Sequence, residues 1–261
     1  MNAIGDYKTV CEKAARAAGD ILLDWSGRFS AREKGPSDLV TEADLAAQEA
    51  IRQQLLGAFP KHGFLAEEQN AQIPSREDGL RWIVDPLDGT MNYVHRVPNY
   101  AVSIALEQRG QLLVGTVFDP VNRECFTAAL GQGAWLNGQR LKASKVSSLS
   151  QALVAASFPA GVGRNDREIA DFIEATVRAQ GTRRMGSSAL NLCYVAAGRF
   201  DGYWSTSTKT WDIAAGALLV SEAGGVITGY DGRPLDVARP QFIAAATAEL
   251  HRELFDLLHR A

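Results

Sequence analysis

The 261-residue sequence is poor in cysteine: it has only Cys11, Cys125 and Cys193, far apart and in no CxxC pair. That excludes a disulfide framework and a cysteine-based metal or redox site, and leaves packing as their role. The four histidines, His62, His95, His251 and His259, form no HExxH pair and none adjoins a cysteine, so no zinc site is expected. No stretch approaches 18 uninterrupted apolar residues, and the opening MNAIGDYKTVCEKAARAAGD carries charges in its first turns without a long apolar segment. A membrane span and a secretory leader are therefore not expected, and the chain reads as soluble and cytoplasmic. An excess of one charge sign is also missing. The net charge of −3 is spread over interspersed acids and bases, without the basic stripe that direct nucleic-acid binding needs. There is no GxxxxGK nucleotide loop, no EF-hand spacing, no convincing repeat and no low-complexity tract.

What is present is an apolar content of 46%, ample for a sizeable core. Val10, Ala14, Ala17, Ala18, Ile21, Leu22 and Trp25 recur at three-and-four spacing and predict an amphipathic helix over Tyr7–Trp25. Leu39-Val40 reads as extended, followed by a helix from about Ala43 that stops before Pro60. Gly63–Ala66 and Trp82–Val84 are short apolar runs ending in acids, the pattern of buried strands with charge at their C-terminal ends. YAVSIALEQ and QLLVGTVFDP flank the turn RG as a hairpin, and RECFTAAL and GAWLNGQRL extend it. From ALVAASF onward strand and helix alternate, with helices near 165–179, 187–197, 212–223 and 248–259. The expectation is one domain over residues 1–261, with a subdomain boundary at the serine-rich stretch near 144–151.

The chemistry concentrates in RWIVDPLDGTMNYVH, where Asp85 and Asp88 follow a buried run. Asp88-Gly89 alone reads as a turn former or helix cap. Two converging carboxylates, however, raise each other's pKa unless a cation lies between them. A hard divalent ion such as magnesium would suit Asp85, Asp88 and the Leu87 carbonyl. Gly89-Thr90 opens a helical turn whose N–H groups could hold a phosphate. Glu67-Glu68 reads either as a solvated pair or as site acids, and Asp212 either as an N-cap or as a site acid. Thr90 and Asp44 could equally be caps, and Lys34 a solvated lysine. A glycosidase is disfavoured, because Asp85 and Asp88 stand too close in sequence to flank a sugar bond and it would leave Glu67 and Asp212 unused.

These motifs together resemble the inositol monophosphatase family of magnesium-dependent, lithium-sensitive phosphatases. WIVDPLDGTMNYVH fits its first signature and WDIAAGALLVSEAGG its second. DLVTEAD, GFLAEEQN and RRMGSSALNLCYVAAGRFDGYW match the segments between and before them, so the resemblance runs through most of the chain. It implies an α/β fold layered as an α/β/α/β/α sandwich, commonly a homodimer, with two or three magnesium ions per site. It further implies that Glu67, Asp85 and the Leu87 carbonyl bind one ion, that Asp85, Asp88 and Asp212 bind a second, and that a metal-bound water oriented by Thr90 and Asp44 attacks phosphorus. The catalytic set is then Thr90, Asp44, Glu67 and Asp85, and the substrate set is Asp88, Gly89, Thr90, Ser188, Ser205 and Asp212. Lys34, Asp38 and Glu68 are implied as metal-site residues or as partners of the metal ligands. The substrate is a small phosphate ester, with inositol 1-phosphate or a sugar or polyol monophosphate first. Fructose-1,6-bisphosphatase, histidinol-phosphatase and adenosine 3',5'-bisphosphate phosphatase activities are alternatives, as is a regulatory protein of the same fold that associates with transcription machinery.

The sequence departs from the family pattern at Ser205, seven residues before Asp212, where inositol phosphatases commonly carry a glutamate that bonds ring hydroxyls. A neutral serine forfeits charge-assisted bonds, which should relax preference for inositol by about one to two powers of ten. Thr206, Ser207 or Thr208 could supply the contact instead.

Overall fold

A computed structural model describes residues 3–35, 38–68, 71–75, 79–159 and 161–260. The N-terminal apolar stripe forms α1 (Ala3–Trp25), which starts a turn before the periodic residues do. Cys11, Ala14, Ala15, Ala18 and Leu22 form its buried face. A short hairpin of β1 (Ala31–Gly35) and β2 (Asp38–Thr41) leads into α2 (Glu42–Ala58). Next come β3 (Gly63–Ala66), β4 (Gln72–Ile73), β5 (Leu80–Asp88), the single turn α3 (Thr90–Val94), and the meander β6 (Ala101–Gln108), β7 (Gln111–Asp119), β8 (Glu124–Ala129), β9 (Gly133–Leu136) and β10 (Gln139–Arg140). The β6–β7 turn is Arg109-Gly110, both at positive φ (52° and 85°), the conformation a two-residue hairpin with right-handed twist requires. These strands form one eight-stranded sheet in the order β10-β9-β8-β7-β6-β5-β3-β4.

The second half supplies β11 (Leu153–Ser157), α4 (Arg167–Arg178), β12 (Gly181–Arg183), α5 (Ser188–Ala196), β13 (Gly202–Ser205), α6 (Thr210–Glu222), β14 (Val226–Gly229), β15 (Phe242–Ala245) and α7 (Ala248–Leu258). Its five strands pair in the order β12-β11-β13-β15-β14. Residues 144–151 connect the last strand of the first sheet to the first strand of the second.

Strand alternation explains the layering. In β5, Trp82 and Val84 face a core shared with Leu22 of α1 and Ile51 and Leu55 of α2, whereas Ile83 faces the opposite core with Leu192 of α5 and Ile213 of α6. In β13, Tyr203 joins that same middle core and Trp204 points outward to Leu250 and Leu254 of α7. The order is therefore helices, sheet, helices, sheet, helices, the α/β/α/β/α sandwich that the resemblance implies. Each fully buried large side chain contributes about 1.5–3 kcal/mol. Gly115 of β7 sets the middle spacing: a Cβ there would lie 2.9 Å from the Ala215 carbonyl oxygen, so α6 can lie directly on the sheet.

Candidate active site

The periodic pattern ends β5 at Val84, but the strand continues to Asp88 across a bulge. Asp85 pairs with Ser103 of β6 and Asp88 with Ala101, so one extra residue is accommodated between them. Pro86 has no N–H to give to the ladder, and the N–H of Leu87 turns to donate to Asp85 Oδ1 at 3.0 Å. The bulge keeps both aspartates in a buried strand end while releasing the Leu87 carbonyl, which accepts from Thr90 Oγ1 at 3.1 Å. Gly89 makes the corner at φ +94°, where a Cβ would also crowd the Asn99 carbonyl oxygen at 3.0 Å.

Glu67 arrives from β3, parallel to β5. Ala66 pairs with Val84, and Glu67 N donates to the Val84 carbonyl at 3.2 Å, which sets Glu67 alongside Asp85. Glu68 is buried, its main chain clasped by the Gln48 amide in both directions. Asp212 is the third residue of α6 and accepts from Lys209 N at 2.8 Å. Ser103 Oγ donates to the Trp211 carbonyl at 3.2 Å, tying the start of α6 to the strand that pairs with Asp85. Asp44 closes a capping box with Thr41, accepting Thr41 N at 2.8 Å and Thr41 Oγ1 at 2.5 Å on Oδ2. It is thus a cap, and at the same time it lies within electrostatic reach of Glu67.

Asp88 is held by α5. Its Oδ2 accepts from Ser187 Oγ and from Ala189 N at 2.9 Å, and its Oδ1 accepts from Ser188 N at 3.2 Å. Ser187 is a site residue that the sequence motifs do not single out. The signal available for it is the serine pair immediately before a helix, a position that favours a capping hydroxyl. Ser188 Oγ meets Tyr203 OH at 3.0 Å. Ser205 is fully buried at the end of β13, its hydroxyl accepting from Ser207 N at 3.3 Å. Lys34 lies on β1 and Asp38 on β2, but their side chains are outside the described residues.

The electrostatics are those of a self-repelling acidic cluster. Burial pushes Asp85 well above the usual carboxylate range, and the charges of Glu67, Asp88 and Asp212 push it the same way. Asp212 is raised well above its ordinary value by burial and then by Asp88. Burial takes Asp88 up to about 6 despite its three hydrogen bonds, and Asp44 to about 6 despite those from Thr41. Among the described residues, no three His, Cys, Asp or Glu side chains are gathered into a ready metal cage as they stand. The donor chemistry nevertheless fits a hard cation: four carboxylates, Glu67 just past the end of β3, Asp85 and Asp88 of β5 and Asp212 of α6, offer oxygen alone, with no soft ligand among them. Surface cavities of about 550 Å³ beside Tyr230 and Arg233 and of about 710 Å³ beside Trp135 are lined by other residues.

Comparison with known proteins agrees with the fold and the motifs. The chain is 42% identical over 224 residues to an inositol-1-monophosphatase of Rhizobium meliloti, covering 83% of this chain and 84% of that one. It is 37% identical over 273 residues to Nus factor SuhB of Salmonella typhimurium, covering 97% and 98%. The crystal structure of the extragenic suppressor protein suhB from Bartonella henselae superposes with a TM-score of 0.92 at 37% identity, covering 97% of this chain and 98% of that one. The family model of the inositol monophosphatases matches residues 6–261. The protein therefore belongs to the inositol monophosphatase family, metal-dependent phosphatases that hydrolyse phosphoric monoesters.

Proposed function

We propose that the chain is a magnesium-dependent phosphomonoesterase of broad specificity, acting on inositol 1-phosphate and on other sugar or polyol monophosphates. The observation that carries this reading is the convergence of Asp85, Asp88 and Asp212 beside Glu67: burial and the neighbouring carboxylates push all three aspartates upward, a repulsion that bound cations would relieve at neutral pH. Two or three magnesium ions would be held, Glu67, Asp85 and the Leu87 carbonyl supplying oxygens at one position and Asp85, Asp88 and Asp212 at a second. When bound, they neutralise the cluster, polarise the phosphate and lower the pKa of water.

The chain's own groups do the rest. The Thr90 hydroxyl orients the attacking water, and Asp44 takes its proton. Thr41 donates twice to Asp44 Oδ2, which leaves Oδ1 to accept. The N–H groups of Gly89 and Thr90 support phosphate oxygens as charge builds in the transition state. Glu68, Lys34 and Asp38 are assigned supporting or metal-site roles in this reading. Toward the alcohol, Ser188 carries a neutral hydroxyl, and position 205, at the buried end of β13, holds a serine and no carboxylate, which supports wide acceptance over strict recognition of inositol.

Lithium inhibition at millimolar-scale concentration, a homodimer, a cytoplasmic location and a single-domain organisation belong to the same reading. No described helix is long and apolar enough to cross a membrane. The shared middle core of the two sheets supports one domain. A second reading, association with transcription machinery, draws on the similarity to a relative named as a Nus factor. A substrate panel tests the specificity: inositol 1-phosphate, glycerol 2-phosphate, fructose 1,6-bisphosphate, histidinol phosphate and adenosine 3',5'-bisphosphate with purified protein. Comparable kcat/KM for the first two supports the proposal. Discrimination by several powers of ten would remove the inference from Ser205.

A further inference from the structure

We propose that Tyr203 is a positioning residue for Asp88, acting through the first turn of α5. The inference rests on the proposed metal site. Among the described residues, the hydrogen bonds to the Asp88 carboxylate come from that turn: Ser187 Oγ and Ala189 N to Oδ2, and Ser188 N to Oδ1. The Ser187 hydroxyl accepts from Leu190 N at 3.2 Å, so its single proton is committed to the carboxylate. With two donors on Oδ2 and one longer bond on Oδ1, Oδ1 is the oxygen with the greater remaining capacity to bind a cation. A small rotation of the turn would redistribute those donors.

What fixes the turn from behind is Tyr203. Its hydroxyl lies 3.0 Å from Ser188 Oγ and 2.9 Å from Ser157 Oγ, and with one proton it can donate to only one of them while accepting from the other. The phenol is fully buried in the middle core, edge-on to Phe242 with centroids 5.0 Å apart, so it has little freedom to follow a moving helix. Tyr203 pairs with Ala155 on one side and with Ala244 on the other, in the central strand of the second sheet. The bonds therefore run from that sheet through Tyr203 and Ser188 to Asp88 at the end of the first sheet. Ser157 and Ser188 are only partly buried, and water can satisfy them when the phenol hydroxyl is gone. The loss expected on Tyr203→Phe is thus one of orientation more than of fold. Outer partners that orient metal ligands commonly alter metal affinity by about 10–100-fold when removed.

The test is magnesium binding by calorimetry to the purified full chain without substrate, alongside the magnesium dependence of phosphate release and the melting temperature. Tyr203→Phe should weaken calorimetric magnesium binding by about 10-fold. The magnesium concentration for half-maximal activity should rise in parallel, with substrate KM at saturating magnesium within about 2-fold. Ser188→Ala, read by calorimetry alone because Ser188 is also a candidate substrate contact, should weaken binding in the same direction and covers the case in which Tyr203→Phe does not fold. A lowered melting temperature with unchanged magnesium affinity in the variants would make Tyr203 a core residue only and overturn the proposal. Wild-type protein that binds no magnesium would instead overturn the metal-site reading beneath it.

Discussion

Ser103 donates its hydroxyl to the Trp211 carbonyl at 3.2 Å, across 108 residues of sequence, while its backbone pairs with Asp85. One serine thereby ties the strand beside Asp85 to the residue before Asp212 at the start of α6. Ser103→Ala should cost about 0.5–1.5 kcal/mol of stability for the lost bond. It should also raise the magnesium concentration for half-maximal phosphate release several-fold with little change in substrate KM. Denaturant unfolding and a magnesium titration check the two parts, and unchanged magnesium dependence would show that α6 is held without it.

Asp85→Asn should make the metal-free protein more stable while removing turnover. Asp85 is buried among Glu67, Asp88 and Asp212, and its ionised form is disfavoured in the folded state. A neutral isostere relieves the repulsion, so the chelated variant should melt above chelated wild type at pH 7 to 8. A lower melting temperature would mean that the carboxylate has structural partners outweighing the repulsion.

Acid should stabilise the metal-free protein and weaken its hold on metal. Asp44 and Asp88, raised from the ordinary 3.8 to about 6, contribute stability that is fully present below the unfolded value and is lost as pH rises through about 6. With limiting magnesium, activity should fall as pH drops below about 6, and added magnesium should move that limb to lower pH because protons and cations compete for the same oxygens. An acid limb independent of magnesium would place the titrating group outside the cluster.

Thr90→Ala should lower kcat by ~10²-fold or more and leave KM within a few-fold, since the hydroxyl is assigned to water and not to substrate. Thr90→Ser should be milder. The bond from Thr90 Oγ1 to the Leu87 carbonyl gives the competing outcome: unchanged kcat with lowered stability would make the hydroxyl a turn-forming group.

Much of the site is legible in the sequence because its acids sit where local pattern is informative. Gly63–Ala66 and Trp82–Val84 announce buried strands, and Asp212 stands at the opening of an Ala-rich helix. Local pattern stops being informative wherever the decisive fact is a pairing between distant segments. That β5 runs on through Pro86 to Asp88 follows from its register against β6, and the apolar run gives no sign of it. That Ser187 donates to Asp88 depends on packing between residues 99 apart. Counting back from Asp212 locates Ser205, but its full burial at the end of β13 follows from pairing within the second sheet, which the count does not carry. The α1 boundary is off by one turn: Ala3-Ile4-Gly5-Asp6 precedes the three-and-four stripe that starts in the next turn, and helix ends are the part of an element that spacing marks least well.

The most direct test is phosphate release from inositol 1-phosphate by wild type and by Asp85→Asn, titrated with magnesium from chelated protein. Wild type should be silent under chelation and rise saturably with magnesium, and Asp85→Asn should stay at least ~10²-fold lower at every concentration. Release that survives chelation, or near wild-type release by Asp85→Asn at saturating magnesium, would contradict the assignment of the carboxylate cluster as the catalytic metal site.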